Sequence, residues 1–153
     1  MSDLEPPRLD QLVSIPLGGP AAKIVPIRGH DLQGEELSLD PRGLDHRLLL
    51  LFLGSHCDGC SALLPLLADP RLSGLDDLKV LALVPGEEFP KGRDLEEFAD
   101  YASSIIRSSA AYVDYGVLAP PFFALLEPGS SSPVLEGVPF GLEDLVAQLQ
   151  AKA

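Results

Sequence analysis

The chain has no tryptophan, one methionine, two cysteines and three histidines in 153 residues. Each scarcity closes off a class of function. Two cysteines separated by two residues cannot build the disulfide framework that staples small secreted domains. Closing so short a loop also restrains the unfolded chain little. Lys and Arg number 11 against 23 Asp and Glu, for a net charge of −12. The basic surface that would attract nucleic acid or an anionic membrane is therefore missing, and neither is an expected partner. Long apolar runs are missing too. The longest, Leu48 to Leu53, is strand-sized, so no membrane insertion is expected. No Gly-rich phosphate loop follows a strand, since Gly18-Gly19 is too sparse, and neither GxSxG nor HExxH occurs. The opening, Met1 to Pro7, carries acids and prolines where a secretory leader would be basic and then apolar. The chain as written is expected to be cytoplasmic. An extracytoplasmic home would need a leader removed beforehand.

What is present supports one well-filled core, because 46% of the residues are hydrophobic. Residues 1–20, rich in Pro and Gly, read as a flexible N-terminal arm, and residues 21–153 as the folded domain. Ala21 to Arg28 reads as a short edge strand, with Pro26 arguing against a central place. Glu36 to Leu39, after a turn at Gly34, would complete an N-terminal β-hairpin. Arg47 to Gly54 (RLLLLFLG) and Leu78 to Val84 (LKVLALV) are continuous apolar runs, as in strands buried on both faces. Cys57 to Asp69 reads as a helix kinked at Pro65. Asp94 and Glu97 have the spacing of a capping box, with Leu95, Phe98, Ala102 and Ile105 on one helical face behind them. Ser108 to Val117 is ambiguous and part of it could be a strand. Phe122 to Leu126 and Pro133 to Glu136 read as strands. Leu142, Leu145, Val146 and Leu149 define a closing amphipathic helix, with Glu143 and Asp144 favourably placed in its first turn. This order implies an α/β sandwich with a mixed sheet.

Both cysteines sit in one CxxC, where a buried strand gives way to a helix. The thiolate is the reactive form of cysteine, and a helix start stabilises an anion. Cys60, one turn on, can attack a mixed disulfide formed at Cys57. Cys57 is therefore expected to be the nucleophile and Cys60 the resolving thiol. His56, if protonated, would further stabilise the Cys57 thiolate, and Asp58 would oppose it. The net effect favours a reductant or exchange catalyst over a strong oxidant. CxxC is also half of a zinc site, but no second CxxC or HxxxH accompanies it, and His30 and His46 lie near expected turns. No metal and no cofactor is expected.

The chain resembles thioredoxin-like proteins, and within them the TlpA-like thiol:disulfide oxidoreductases. The resemblance is carried by an apolar strand ending in FLGSHCDGC, by Pro65 five residues after Cys60, and by YGVLAPPFFALLEPG further on. It spans about Ile24 to Leu149. It implies a thioredoxin-like sandwich with a central mixed sheet flanked by helices. It also implies a cis-proline at Pro121 which, with Ala119 and Pro120, sits against the CxxC and binds extended substrate. A protein or small-molecule disulfide would be the substrate, with an upstream reductant restoring the dithiol.

The departures from that pattern matter as much. His56 stands where the family usually has Trp. Leu51 takes the place of a buried Asp that acts in proton transfer, and Leu63 the place of a Glu three residues after the second cysteine. Glu127 and Glu136 are weak substitutes for these acids. Their loss keeps a second expectation open, a redox-inactive thioredoxin-like module that grips an extended protein segment. A peroxide-reducing enzyme is a distant third, because Ser55 and His56 replace the Thr-rich loop it requires.

Overall fold

The computed structural model describes residues 23–54, 57, 59–73, 75, 77–86 and 89–151. The expected arm over residues 1–20, and the readings placed on Ser55, His56, Asp58, Asp76, Glu87 and Glu88, lie outside the described residues.

The strands are β1 (Ile27–His30), β2 (Glu36–Leu39), β3 (Arg47–Phe52), β4 (Leu78–Val84), β5 (Ile105–Arg107), β6 (Phe122–Leu126) and β7 (Leu135–Gly137). The helices are α1 (Cys60–Leu63), α2 (Pro70–Ser73), α3 (Arg93–Ala99), α4 (Ser109–Asp114) and α5 (Leu142–Ala151). All seven strands form one mixed sheet in the order β2-β1-β5-β4-β3-β6-β7. The pairs β3–β4 and β4–β5 are parallel, and the others are antiparallel.

Strand β3, apolar from Leu48 on, sits near the middle because its alternate residues feed two cores. Leu49, Leu51 and Leu53 face one, with Phe98 of α3 and Leu145, Val146 and Leu149 of α5. Leu48, Leu50 and Phe52 face the other, with Ala111 of α4 and Tyr115 just beyond it. A strand buried on both faces has no polar side to show, and this is why RLLLLF lacks alternation.

The expected hairpin forms, with Ile27 opposite Leu39 and His30 opposite Glu36. Its first strand differs from expectation in place and bounds. Pro26 has no N–H to give a ladder, so pairing begins only at Ile27. The strand is also not an edge, because it lies between β2 and β5. Gly29 permits that approach: a Cβ there would fall 1.9 Å from the Arg107 carbonyl oxygen.

Three other expectations are corrected. The helix expected over Cys57–Asp69 is one α-helical turn, Cys60–Leu63, followed by a 3-10 stretch, Leu64–Ala68, with Pro65 near its start. Pro65 cannot donate the next helical bond. The capping box at Asp94 and Glu97 does not form. Gly92, at φ 61°, precedes α3, and Asp94 lies within the first turn. Ala102 and Ile105 do not continue that helix, because Ile105 opens β5. The ambiguous stretch after it is helical: Ser108 caps α4 by accepting a hydrogen bond from the Ala111 N–H at 3.2 Å.

Candidate active site

The carboxyl end of β3 leads to Gly54, and the cysteine pair follows. Cys57 and Cys60 are joined by a disulfide, with S–S 2.05 Å and Cα–Cα 5.5 Å. The Cys60 N–H donates to the Cys57 carbonyl at 3.3 Å, so the pair is held by a turn leading into α1. The two sulfurs differ in environment. Cys60 is 2% exposed and belongs to the core beneath α1, whereas Cys57 is only partly buried against it.

The second wall of the site comes from the entry to β6. Pairing of Phe52 with Phe122 brings the segment before Phe122 to the same end of the sheet as the cysteines. There the Pro120–Pro121 peptide bond is cis. The Pro120 ring covers Gly54, and Pro121 Cγ lies 4.0 Å from where a Gly59 Cβ would be. Cys57, Cys60, Pro120 and Pro121, singled out in the sequence, thus come together, and Ala119 is exposed just beyond. His56 and Asp58, read as modulators of Cys57, lie outside the described residues.

Antiparallel pairing of Phe123 with Gly137 carries the next loop to this end as well. Leu118 (73% exposed) and Phe140 (74% exposed) lie in the loops at this end of the sheet.

The positions read as lacking acids do lack them inside the core. Leu51 and Leu63 are fully buried, apolar, and in the same cluster as Cys60. Glu136 does not replace them. It pairs with Ala124, whose side chain lies in the core on the opposite face of the sheet from Cys60. Burial pushes its carboxyl above the ordinary value. Glu127 is exposed beyond the far end of β6. His46 precedes β3, at the end away from the cysteines, with Nδ1 3.1 Å from the Arg47 carbonyl. Among the described residues no cluster of three or more His, Cys, Asp or Glu could hold a metal. No helix among them is long and apolar enough to cross a membrane.

Two residues that sequence reasoning passed over belong to the site. Asp94 lines a cavity of about 80 Å³ together with Gly54, Cys57, Cys60, Ser61, Phe89 and Phe98. Its helix-start position drew attention to capping, and no local signal points it at the cysteines. Tyr112 of α4 places its hydroxyl on the Leu53 carbonyl, and 2.7 Å from the Leu83 carbonyl, beneath the strand ends that carry the site.

No family model and no curated protein sequence matches the chain. Solved structures do. The thioredoxin domain of a thiol-disulfide oxidoreductase from Bacteroides vulgatus is 16% identical, with a TM-score of 0.64, covering 86% of this chain and 96% of that one. StoA from Bacillus subtilis is 18% identical, TM-score 0.58, covering 84% and 98%. A DsbF homologue from Corynebacterium diphtheriae is 18% identical, TM-score 0.62, covering 87% and 88%. The mixed sheet flanked by helices matches these structures, and the chain has a thioredoxin-like fold.

Proposed function

We propose that the chain is a thiol:disulfide oxidoreductase that reduces or exchanges disulfides in protein segments or small molecules. The observation that carries this reading is the Cys57–Cys60 disulfide, made by the only two cysteines of the chain and facing the Pro120–Pro121 wall. In the reduced protein the less buried Cys57 thiolate attacks a substrate disulfide. A mixed disulfide forms, and the first substrate thiolate leaves and takes up a proton. The Cys60 thiolate then attacks Cys57 Sγ. The second substrate thiolate leaves, and the Cys57–Cys60 disulfide closes. Two electrons have passed to the substrate, and an upstream reductant restores the dithiol.

Leu118 and Phe140, exposed in the loops at the same end of the sheet as the cysteines, favour an extended apolar peptide over a free small thiol as the substrate. Ala119, Pro120 and Pro121 would supply the wall it lies against.

Reduction of insulin by the wild-type protein, with Cys57→Ser as control, tests the activity. Loss of activity in the variant is expected. Equal activity in both, or none in either with reductant supplied, would sink the reading. A Cys60→Ser variant is expected to hold its partner as a mixed disulfide through Cys57.

A second reading, a binding module that does not turn over, draws on the apolar Leu51 and Leu63 under the pair. Titration of the disulfide against a glutathione buffer separates the two. A pair that stays oxidised, or stays reduced, across the biological range would favour the module.

A further inference from the structure

The resolving step has a requirement that the site must meet. Cys60 attacks as a thiolate, yet it is 2% exposed among Leu63, Leu51 and Phe98. An apolar surround disfavours the thiolate, so its proton needs an acceptor within reach at the moment of attack. Among the described residues the core offers none: Leu51 and Leu63 are apolar, and Glu136 is on the other face of the sheet.

The cavity beside the cysteines offers one. Its walls are Gly54 at the end of β3, Cys57, Cys60 and Ser61 of the CxxC turn, Phe89 before α3, and Asp94 and Phe98 on α3. At about 80 Å³ it has room for about two waters. Among the described residues, its titratable lining groups are Cys57, Cys60 and Asp94. Along α3, Arg93, Glu96 and Glu97 are exposed neighbours of Asp94. His56, Asp58, Glu87 and Glu88 adjoin these segments in sequence and lie outside the described residues. Asp94 is not held as a cap, because Gly92 occupies that position.

Resting on the oxidoreductase reading, we propose that Asp94 is the proton acceptor for Cys60, working through the small cavity the two share. In the mixed disulfide the Cys60 thiol passes its proton, directly or through a water, to the Asp94 carboxylate. The thiolate forms the S–S bond to Cys57 as the bond from Cys57 to the substrate sulfur breaks. The departing thiolate recovers a proton from Asp94 or from solvent. The acid thus comes from α3, across the site, and not from the strand or helix that carries the cysteines.

The test follows the reduced protein reacting with dithiobis-nitrobenzoate in stopped flow. The first coloured thiolate reports attack by Cys57, and the second reports resolution by Cys60. Asp94→Asn is expected to slow the second phase at least about tenfold near neutral pH and not to slow the first, because loss of a nearby negative charge does not disfavour the Cys57 thiolate. The deficit is expected to shrink below about twofold in strong base, where solvent hydroxide takes the proton. Asp94→Glu is expected to restore most of the neutral rate. A second phase that is unchanged or faster in Asp94→Asn overturns the proposal. So does equal slowing at every pH that Asp94→Glu shares, since that marks a structural role. The assay needs only a CxxC dithiol. Failure to reduce insulin with the expected second-phase result would therefore count against the oxidoreductase reading alone.

Discussion

Pro120 closes over Gly54 so tightly that a Cβ at Gly54 would lie 2.7 Å from Pro120 Cγ. The contact joins the exit of β3 to the entry of β6, the two segments that present the cysteines and the cis-proline. A ring carbon cannot swing aside as the end of a long side chain would. Gly54→Ala is therefore expected to force the Pro120–Pro121 segment away from the pair. Overpacking of this kind costs about 1–3 kcal/mol, which urea unfolding would read, and disulfide reduction is expected to slow with it. Gly59→Ala is the internal control. Its added Cβ would meet Pro121 Cγ at an ordinary 4.0 Å, and little loss of stability is expected.

Tyr112 ties the strand ends under the site. Its hydroxyl reaches the carbonyls of Leu53 and Leu83, and its ring packs edge-on to Phe52 with centroids 5.1 Å apart. The Leu83 carbonyl also accepts the Leu53 N–H at 2.9 Å, so the tyrosine completes a junction that β3 and β4 have already begun. Tyr112→Phe keeps the ring and removes the donor, leaving the Leu53 carbonyl without it. A loss of about 1–3 kcal/mol in stability is expected. Faster hydrogen exchange at Leu53 and Gly54, with exchange in β7 unchanged, would place the effect at the site end of the sheet. An unaltered exchange pattern would show that the bond has little weight.

The approach of β1 to β5 rests on one missing side chain. A Cβ on Gly29 would fall 1.9 Å from the Arg107 carbonyl oxygen and 3.0 Å from Ser108 Cβ, contacts no rotamer relieves. Ser108 fixes the same seam by donating from Oγ to the Arg28 carbonyl at 2.6 Å. Gly29→Ala is expected to destabilise by about 3 kcal/mol or more, because backbone would have to move. A urea midpoint within error of wild type would refute the seam.

These seams mark where sequence reasoning runs short. β3, β4 and β6 were legible because they are continuous apolar runs: FFALL is buried throughout, RLLLLF from Leu48 on, and LKVLALV over Ala82–Val84. α5 was legible because it is amphipathic at helical spacing. β5 was not, since three residues, Ile105–Arg107, carry no measurable period and continue the apolar pattern of the helix before them. Missing β5 also hid what β1 pairs with, so the first strand of the hairpin read as an edge. At the site, the cysteines and prolines were visible because their chemistry is local in sequence. Asp94 and Tyr112 reach the site only through packing between distant elements, and neither has a neighbour in the chain that announces it.

Tyr115 gives the fold a measurable alkaline limit. Its ring is 1% exposed. Its hydroxyl donates to the Val25 carbonyl at 2.7 Å and accepts from the Val25 N–H at 3.2 Å, pinning the segment that leads into β1. Burial, with Asp40 and Asp114 adding to it against the opposing Val25 bond, pushes the phenol up to about 12. The unfolded chain titrates near 10, so between these values the folded protein holds a proton that the unfolded chain has lost. Stability carried by the neutral phenol is therefore complete below about pH 10 and is lost as pH rises toward 12. Tyr115→Phe has no such proton. Below about pH 10 the variant is expected to be less stable than wild type by a constant amount, the cost of the two Val25 hydrogen bonds. Above it the gap is expected to narrow by roughly 2 kcal/mol as only the wild type weakens. Urea midpoints of both proteins across that range provide the measurement, and a gap that stays constant to pH 12 would rule the linkage out.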